Sequence, residues 1–230
     1  MPAQLRILSA GAVKPGLTGV IELFRRDTGE AATVSFATAP SILKRIADGE
    51  PLDIVIAPRS VLDDLAKTGT LAEADYVSVG RIGVGVLVRE GAPLPQIATV
   101  EDFKEALLSA ESLVYNRAST GIYLAELFGR LGIGNDLKAK STRYPDFAAV
   151  LDHVSKGKGW EVGLGATTVI IENESRGVKF AGPLPAEIQN YTTYAAGIVA
   201  GGGAKEAARR FIRYLSSPAA KSLLSAAGLQ

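Results

Sequence analysis

After an opening strand at Leu5-Arg6-Ile7-Leu8, the apolar residues Val13, Leu17, Val20, Ile21 and Phe24 recur at the spacing of one helical face, and Gly29 closes that helix. The break between strand and helix is the small-residue stretch Ser9-Ala10-Gly11-Ala12. A second strand, Thr33-Val34-Ser35-Phe36, breaks at Ala37-Thr38-Ala39-Pro40 before a helix over Ser41 to Asp48 that Gly49 ends. A third strand, Ile54-Val55-Ile56-Ala57, runs through Pro58 into a helix over Val61 to Lys67 that Gly69 ends. Strand and helix in alternation predict a mainly parallel sheet with right-handed crossovers. In such a sheet the loops at the carboxyl ends of the strands lie beside helix N-termini, whose unpaired N–H groups attract anions.

The alternating run Ile82-Gly83-Val84-Gly85-Val86-Leu87-Val88 predicts a strand that crosses into a second lobe, its glycines allowing close backbone approach. Thr99 then caps a helix over Glu101 to Ser109, and the strand Ser112-Leu113-Val114-Tyr115 breaks at Asn116-Arg117-Ala118-Ser119-Thr120-Gly121 into a helix over Ile122 to Leu131. Asp146 and Phe147 begin a helix that ends near Lys156-Gly157, and Glu161 to Ala166 is the next strand. The strand Tyr194 to Val199 returns the chain to the first lobe, where helices over Ala204 to Leu215 and Pro218 to Ala226 pack. The expected fold is α/β with two lobes, residues 1–80 plus 192–230 and residues 81–191. Each lobe holds a mainly parallel sheet flanked by helices, with a cleft between them that closes on an anion by hinge motion.

Charge and composition narrow the partners. The 230 residues carry 25 basic and 24 acidic side chains with no long run of either sign, which argues against nucleic acid or an anionic membrane and for a small molecule. With no cysteine and a single histidine, His153, disulfides, thiolate catalysis and multi-histidine metal sites are excluded. His153 falls beside Val154 in a helix and reads as a partly buried structural residue. Gly201-Gly202-Gly203 lacks the strand-to-helix context of a nucleotide loop, so neither cofactor nor metal is expected. Met-Pro-Ala-Gln enters the first strand at once, leaving no room for a secretion signal. The expected location is cytoplasmic as written, and periplasmic if a leader has been removed. No apolar run approaches the roughly 20 residues that span a bilayer.

Five stretches in order resemble the periplasmic molybdate/tungstate-binding proteins of ABC importers, within the type-II periplasmic binding protein fold, over essentially the whole chain. They are Ser9-Ala10-Gly11-Ala12-Val13, Phe36-Ala37-Thr38-Ala39, Gly49-Glu50-Pro51-Leu52-Asp53, Thr120-Gly121-Ile122-Tyr123 and Val162-Gly163-Leu164-Gly165. The resemblance implies an oxyanion held by neutral hydroxyl and backbone N–H donors, with a serine in each of the first two loops and a tyrosine after the later strand. The matching positions here read Ala12, Ala39 and Ala166, although Ser9 stands three residues before the first of these and Thr38 one before the second. Each charge-assisted hydrogen bond to a desolvated anion contributes about 1.5–3 kcal/mol, so three missing donors disfavour molybdate. Lys14, Arg59 and Arg117 fall in or beside the loops that end these strands and Arg81 sits at the first crossover, and arginine forks suit carboxylates, which points to an organic di- or tricarboxylate.

The candidate ligand-binding residues are therefore Ser9, Gly11, Ala12, Thr38, Ala39, Arg59 and Arg81, with Arg117, Ser119, Thr120, Phe147 and Ala166 from the second lobe. Two readings follow. In the first, the protein is a monomeric solute-binding or sensor protein for a small carboxylate, partnered by the membrane subunit of an ABC transporter if it is exported. In the second, it belongs with a branch similar to molybdate-binding proteins that isomerises cis- and trans-aconitate through an allylic proton shift. That chemistry needs a base, for which Lys14, Tyr191 or Tyr194 are the candidates, and cations to hold the carboxylates. Molybdate binding stands third.

Overall fold

The computed structural model describes residues 4–72 and 76–230. The N-terminal Met-Pro-Ala, on which the reading of the leader rests, lies outside them. The chain divides into two compact units, Met1–Ile82 with Thr192–Gln230, and Gly83–Tyr191. The first passage through unit 1 gives β1 (Leu5–Ala10), a 3-10 turn at Gly11–Val13, α1 (Lys14–Thr28), β2 (Ala32–Ala37), α2 (Ala39–Ala47), β3 (Ile54–Pro58), α3 (Arg59–Lys67) and β4 (Val77–Ile82). Unit 2 opens with β5 (Val84–Arg89), α4 (Val100–Ser109), β6 (Ser112–Asn116), α5 (Ser119–Arg130), α6 (Gly134–Lys138) and β7 (Ser141–Tyr144). It continues with α7 (Phe147–Lys156), β8 (Glu161–Ala166), α8 (Thr167–Glu172) and β9 (Val178–Pro183). The chain then re-enters unit 1 as β10 (Thr192–Ile198), α9 (Lys205–Leu215) and α10 (Pro218–Ala226).

Both units use one plan. The sheet of unit 1 has the order β2-β1-β3-β10-β4, and that of unit 2 the order β7-β6-β8-β5-β9. In each, three strands pair in parallel, and the fourth pairs antiparallel with both the third and the fifth. Four of the five strands therefore point the same way, and the reversed strand is the one that enters from, or returns to, the other unit. Helices cover both faces of the unit 2 sheet. Leu113, Tyr115 and Val162 join Phe103, Leu107 and Leu124 on one side, while Leu87 and Val114 join Val150, Leu151 and Val154 on the other. In unit 1 every residue of β3 is buried, and the Phe24 ring of α1 meets Phe211 and Tyr214 of α9 edge-on at 5.1 and 5.2 Å. Hydrophobic runs bounded by turns become strands because each fully buried aliphatic side chain contributes about 1.5–3 kcal/mol.

Turn chemistry fixes where the elements stop. Gly29 takes φ 73° at the end of α1, and its N–H donates to the Arg25 carbonyl at 2.9 Å. Asp53, just before β3, is 1% exposed and ties three segments together at the amino edge of the unit 1 sheet. Its carboxylate accepts the backbone N–H of Arg6 at 2.8 Å, the Arg6 Nε at 3.3 Å and the backbone N–H of Ala204 at 3.0 Å. Burial acts to raise the pKa of this group, but the two backbone donors and the guanidinium together outweigh it and hold the carboxyl below its ordinary value. Within unit 2, the Gln189 side chain imitates a rung of sheet. Its Oε1 accepts from the Val84 N–H at 2.8 Å and its Nε2 donates to the Val84 carbonyl at 2.9 Å.

Five elements are absent from the sequence expectation, which ran one strand from Ile82 to Val88. The structure ends β4 at Ile82 and starts β5 at Val84, because Thr192 and Thr193 pair with Ile82 and Arg81 and hold that segment in unit 1. β7 reads Ser-Thr-Arg-Tyr, an edge strand with no apolar alternation. α8 reads Thr-Thr-Val-Ile-Ile-Glu, a β-branched run whose preference for strand is overridden by packing against β5, β8 and β9. α6 is five residues long and packs on α5 and α4, while β9 is a strand through its pairing with β5, far away in sequence.

Candidate anion site

The site is built from the turns where parallel strands hand over to helices. In unit 1 the residue at the helix-capping position is Ala10 for the 3-10 turn, Thr38 for α2 and Pro58 for α3; in unit 2 it is Ala118 for α5 and Ala166 for α8. None of these makes a side-chain capping hydrogen bond, and even the Thr38 hydroxyl leaves the first turn of α2 alone. Three other helices are capped. Thr99 and Asp102 form a capping box on α4, Asp146 accepts the Ala149 N–H on α7 at 3.0 Å, and Ser217 accepts the Ala220 N–H on α10 at 3.2 Å. Of the capped helices only α7 follows a parallel strand of the three-stranded core. α6 and α9 also start without a side-chain cap, at Ile133 and Ala204, so bare starts are not confined to the carboxyl edges; at those edges they leave the partial positive charge of the helix start without a side-chain partner.

The individual residues divide into those presented at these edges and those engaged elsewhere. Gly11 and Ala12 lie half-buried in the 3-10 turn, Lys14 is exposed at the first position of α1, and Ala39 opens α2 behind Thr38. Ser119 and Thr120 form the first turn of α5, and Thr120 is 9% exposed. Phe147 opens α7 and lays its ring against β8 where Gly165 has no side chain, since a methyl group there would collide with the ring. Ala166 pairs with Val84, and the N–H of the following Thr167 is already donated to the Gly83 carbonyl at 3.0 Å.

Ser9 is fully buried inside β1, with its hydroxyl donating to the Ala10 carbonyl at 3.2 Å. Arg59 is exposed, pairs with Asp63 one turn along α3 at 3.0 Å, and stacks over the Tyr76 ring at 4.4 Å, so its charge already has company. Arg81 is exposed in β4, where its backbone exchanges hydrogen bonds with Gln230 at 2.8 and 3.0 Å. Arg117 donates its Nε to the Arg143 carbonyl at 3.2 Å and is otherwise open to solvent. Tyr194 is 4% exposed within β10, between β3 and β4, whereas Tyr191 is 40% exposed just before β10. His153 lies in α7, bonded through Nε2 to the Ser112 hydroxyl at 3.1 Å and through Nδ1 to the Tyr144 hydroxyl at 2.9 Å, the helix packing residue that its sequence setting indicates.

Three residues were not singled out by the sequence. Asn116 ends β6 with its Oδ1 accepting the Ala118 N–H at 3.1 Å, and the Asn-x-Ala spacing of that turn is its only signal. Asp146 is visible as a helix start but not as a capping group. Arg143 sits in β7 with its guanidinium 5.5 Å from the centre of the Tyr115 ring; burial pushes the Tyr115 phenol up, against the pull of that guanidinium, and keeps it neutral. Among the described residues no group of three or more His, Cys, Asp or Glu is placed to hold a metal ion, and no helix is long and apolar enough to cross a membrane.

Two α/β units of one topology, joined by two crossings and carrying bare helix starts at the carboxyl edges of their sheets, define a two-lobed binding protein of the periplasmic type. The profile of the bacterial extracellular solute-binding proteins matches residues 5–230, and the chain belongs to that family. It is 30% identical over 234 residues to the aconitate isomerase of Pseudomonas sp, covering 98% of this chain and 87% of that enzyme. Among solved structures, the periplasmic molybdate-binding protein of Azotobacter vinelandii superposes with a TM-score of 0.81 at 17% identity, covering 99% of both chains. PEB3 of Campylobacter jejuni, in its L-phospholactate-bound form, superposes with a TM-score of 0.77 at 14% identity over 99% of both chains.

Proposed function

We propose that this protein binds a small organic di- or tricarboxylate through the helix starts at the carboxyl edges of its sheets. The observation that carries the reading is the missing side-chain caps at Ala10, Thr38, Pro58 and Ala118, which leave backbone donors for a ligand's oxygens. Lys14 and Arg117 lie next to two of those starts and add the positive charge that a multiply ionised carboxylate calls for. As a solute-binding protein it delivers this ligand to the membrane subunit of an importer. The extracellular character of the family favours the periplasm as its place of work, which fractionation of the native host checks.

A second reading is favoured by the 30% identity to aconitate isomerase along nearly the whole chain. In that reaction a proton leaves the methylene carbon of aconitate, the double bond shifts by one carbon, and a proton returns at the far end of the allylic system. Lys14 and Tyr191, both exposed, are the bases available, and Arg117 steadies the charge that develops on the adjoining carboxylates.

Calorimetric titration with citrate, cis-aconitate, trans-aconitate, molybdate and sulfate tests the first reading. Tight binding of tricarboxylates over molybdate is the expected result, and binding of molybdate alone overturns it. Proton NMR in deuterated water with trans-aconitate tests the second. Catalysed appearance of deuterated cis-aconitate is expected of an isomerase, and binding without exchange leaves a binding protein.

A further inference from the structure

We propose that unit 2 binds a small hard metal cation of the calcium class at the amino edge of its sheet, through Glu161 and Glu111, independently of the proposed function. Asp53 precedes β3 beside Arg6 of β1, and Glu161 begins β8 beside Ser112 of β6, so the two carboxylates hold equivalent places in the two units. Asp53 is saturated. One of its oxygens takes the Ala204 N–H, and the other takes the backbone N–H and the guanidinium of Arg6. Glu161 is 9% exposed, and its Oε1 takes the Gly159 N–H at 2.9 Å. Its Oε2 is buried and, among the described residues, accepts no hydrogen bond. Unit 1 thus supplies its own cation, whereas unit 2 sets an uncharged serine in that place.

The turn between α7 and β8 is shaped around carboxylates. Gly157, at the C-terminal cap of α7, has no room for a side chain because both Glu161 oxygens stand there, and Gly159 has none because Glu111 Oε2 does. Glu111 is exposed, and its Oε1 accepts the Trp160 N–H at 3.2 Å, so each carboxylate gives one oxygen to the turn and keeps one. The last carbonyls of α7 add further oxygens and a partial negative charge. The cations nearby are committed elsewhere. Lys156 and Arg176 pair with Asp152 at 3.0 and 3.3 Å, and His153 bonds the Ser112 and Tyr144 hydroxyls. Lys158, in the turn itself, is exposed, and among the described residues no hydrogen bond or ion pair joins it to either carboxylate. A buried anionic oxygen left unpaired is strongly destabilising, and a bound cation removes that cost. Carboxylate and carbonyl oxygens, with no nitrogen or sulfur among them, select a hard cation that completes its shell with water.

The test is thermal unfolding and calorimetric titration of the full chain with calcium chloride after treatment with a chelator, with magnesium and sodium chloride as further arms. Calcium is expected to raise the melting temperature by about 5–10 °C at about a hundred times its dissociation constant, and sodium at matched ionic strength to do nothing. Glu161→Gln keeps an acceptor for the Gly159 N–H and removes the charge. It is expected to abolish the calcium response and, in chelator, to melt no lower than the parent, which a carboxylate needed only for the fold would not allow. Glu111→Gln, at an exposed position, is expected to bind calcium about tenfold more weakly and carries the comparison if Glu161→Gln fails to fold. A parent that responds to neither calcium nor magnesium overturns the site, as does a calcium response that survives in both variants; either result leaves the proposed function standing.

Discussion

The two units share strand order and strand direction, and each sets a buried carboxylate at the amino edge of its third strand, Asp53 beside β3 and Glu161 in β8, yet they treat the carboxyl edge differently. Unit 1 buries its charged carboxylate at the amino edge, where Asp53 ties β1, β3 and the segment before α9, and leaves its carboxyl edge to Ala10, Thr38 and Pro58. Unit 2 keeps polar groups at the carboxyl edge itself, where Asn116 holds the turn before α5 and Asp146 caps α7. The difference teaches that one topology can separate holding the fold from holding a ligand, or combine the two in a single turn.

The most damaging change to this contrast is in the amino-edge tie. Asp53→Ala leaves two buried backbone N–H groups without acceptors and is expected to cost about 3 kcal/mol, or roughly 6–12 °C in melting temperature, with ligand affinity of the folded fraction unchanged. Because the folded state holds the Asp53 carboxyl below its unfolded value of about 3.9, its contribution is complete above that pH and is lost as pH falls through the folded value. Acid titration of stability checks the sign: Asp53→Asn is expected to lose less stability on acidification than the parent does.

Next comes a pair of glycines at equivalent turns. A methyl group at Gly121 collides with the Asn116 carbonyl, whereas one at Gly11 meets nothing within 4 Å. Gly121→Ala is expected to cost about 2 kcal/mol and most of the ligand affinity, and Gly11→Ala neither, as thermal unfolding and titration report. Equal effects would mean that the two carboxyl edges are built alike.

Caps give a smaller effect. Asp146→Ala is expected to remove about 1 kcal/mol, while Thr38→Ala, which loses no capping bond, keeps its melting temperature and loses about threefold to tenfold in anion affinity. The smallest effects on stability concern the exposed arginines. Arg117→Ala is expected to weaken tricarboxylate binding about tenfold with stability unchanged, and Arg59→Ala, whose charge is already paired with Asp63, to change neither.

Much of the fold was legible because its signals are local. Apolar spacing in α1, the closing glycines at 29, 49 and 69, and the Thr99 cap each act within a few residues. The elements that escaped owe their form to distant neighbours. α8 is helical against its β-branched composition, and β7 is a strand only because β6 pairs with it. The site shows the same divide. The turn residues from Gly11 to Thr120 are visible as breaks between strand and helix, but Asp53 finds its partners 47 and 151 positions away. The engagement of Arg59 was within reach, since Asp63 stands four residues on in a predicted helix, the spacing at which such pairs form.

The place of β10 between β3 and β4 has a consequence for how the protein is made. Unit 1 begins the chain, but its sheet cannot close until Thr192 and the residues after it have been synthesised, with the whole of Gly83 to Tyr191 in between. At bacterial rates of elongation that interval is roughly 5–20 seconds. Throughout it, the buried strand β3 presents an unpaired edge of five apolar residues to the cell. The contiguous unit 2 thus completes first, although it starts second, and the period before β10 arrives is when the nascent chain most needs protection from aggregation.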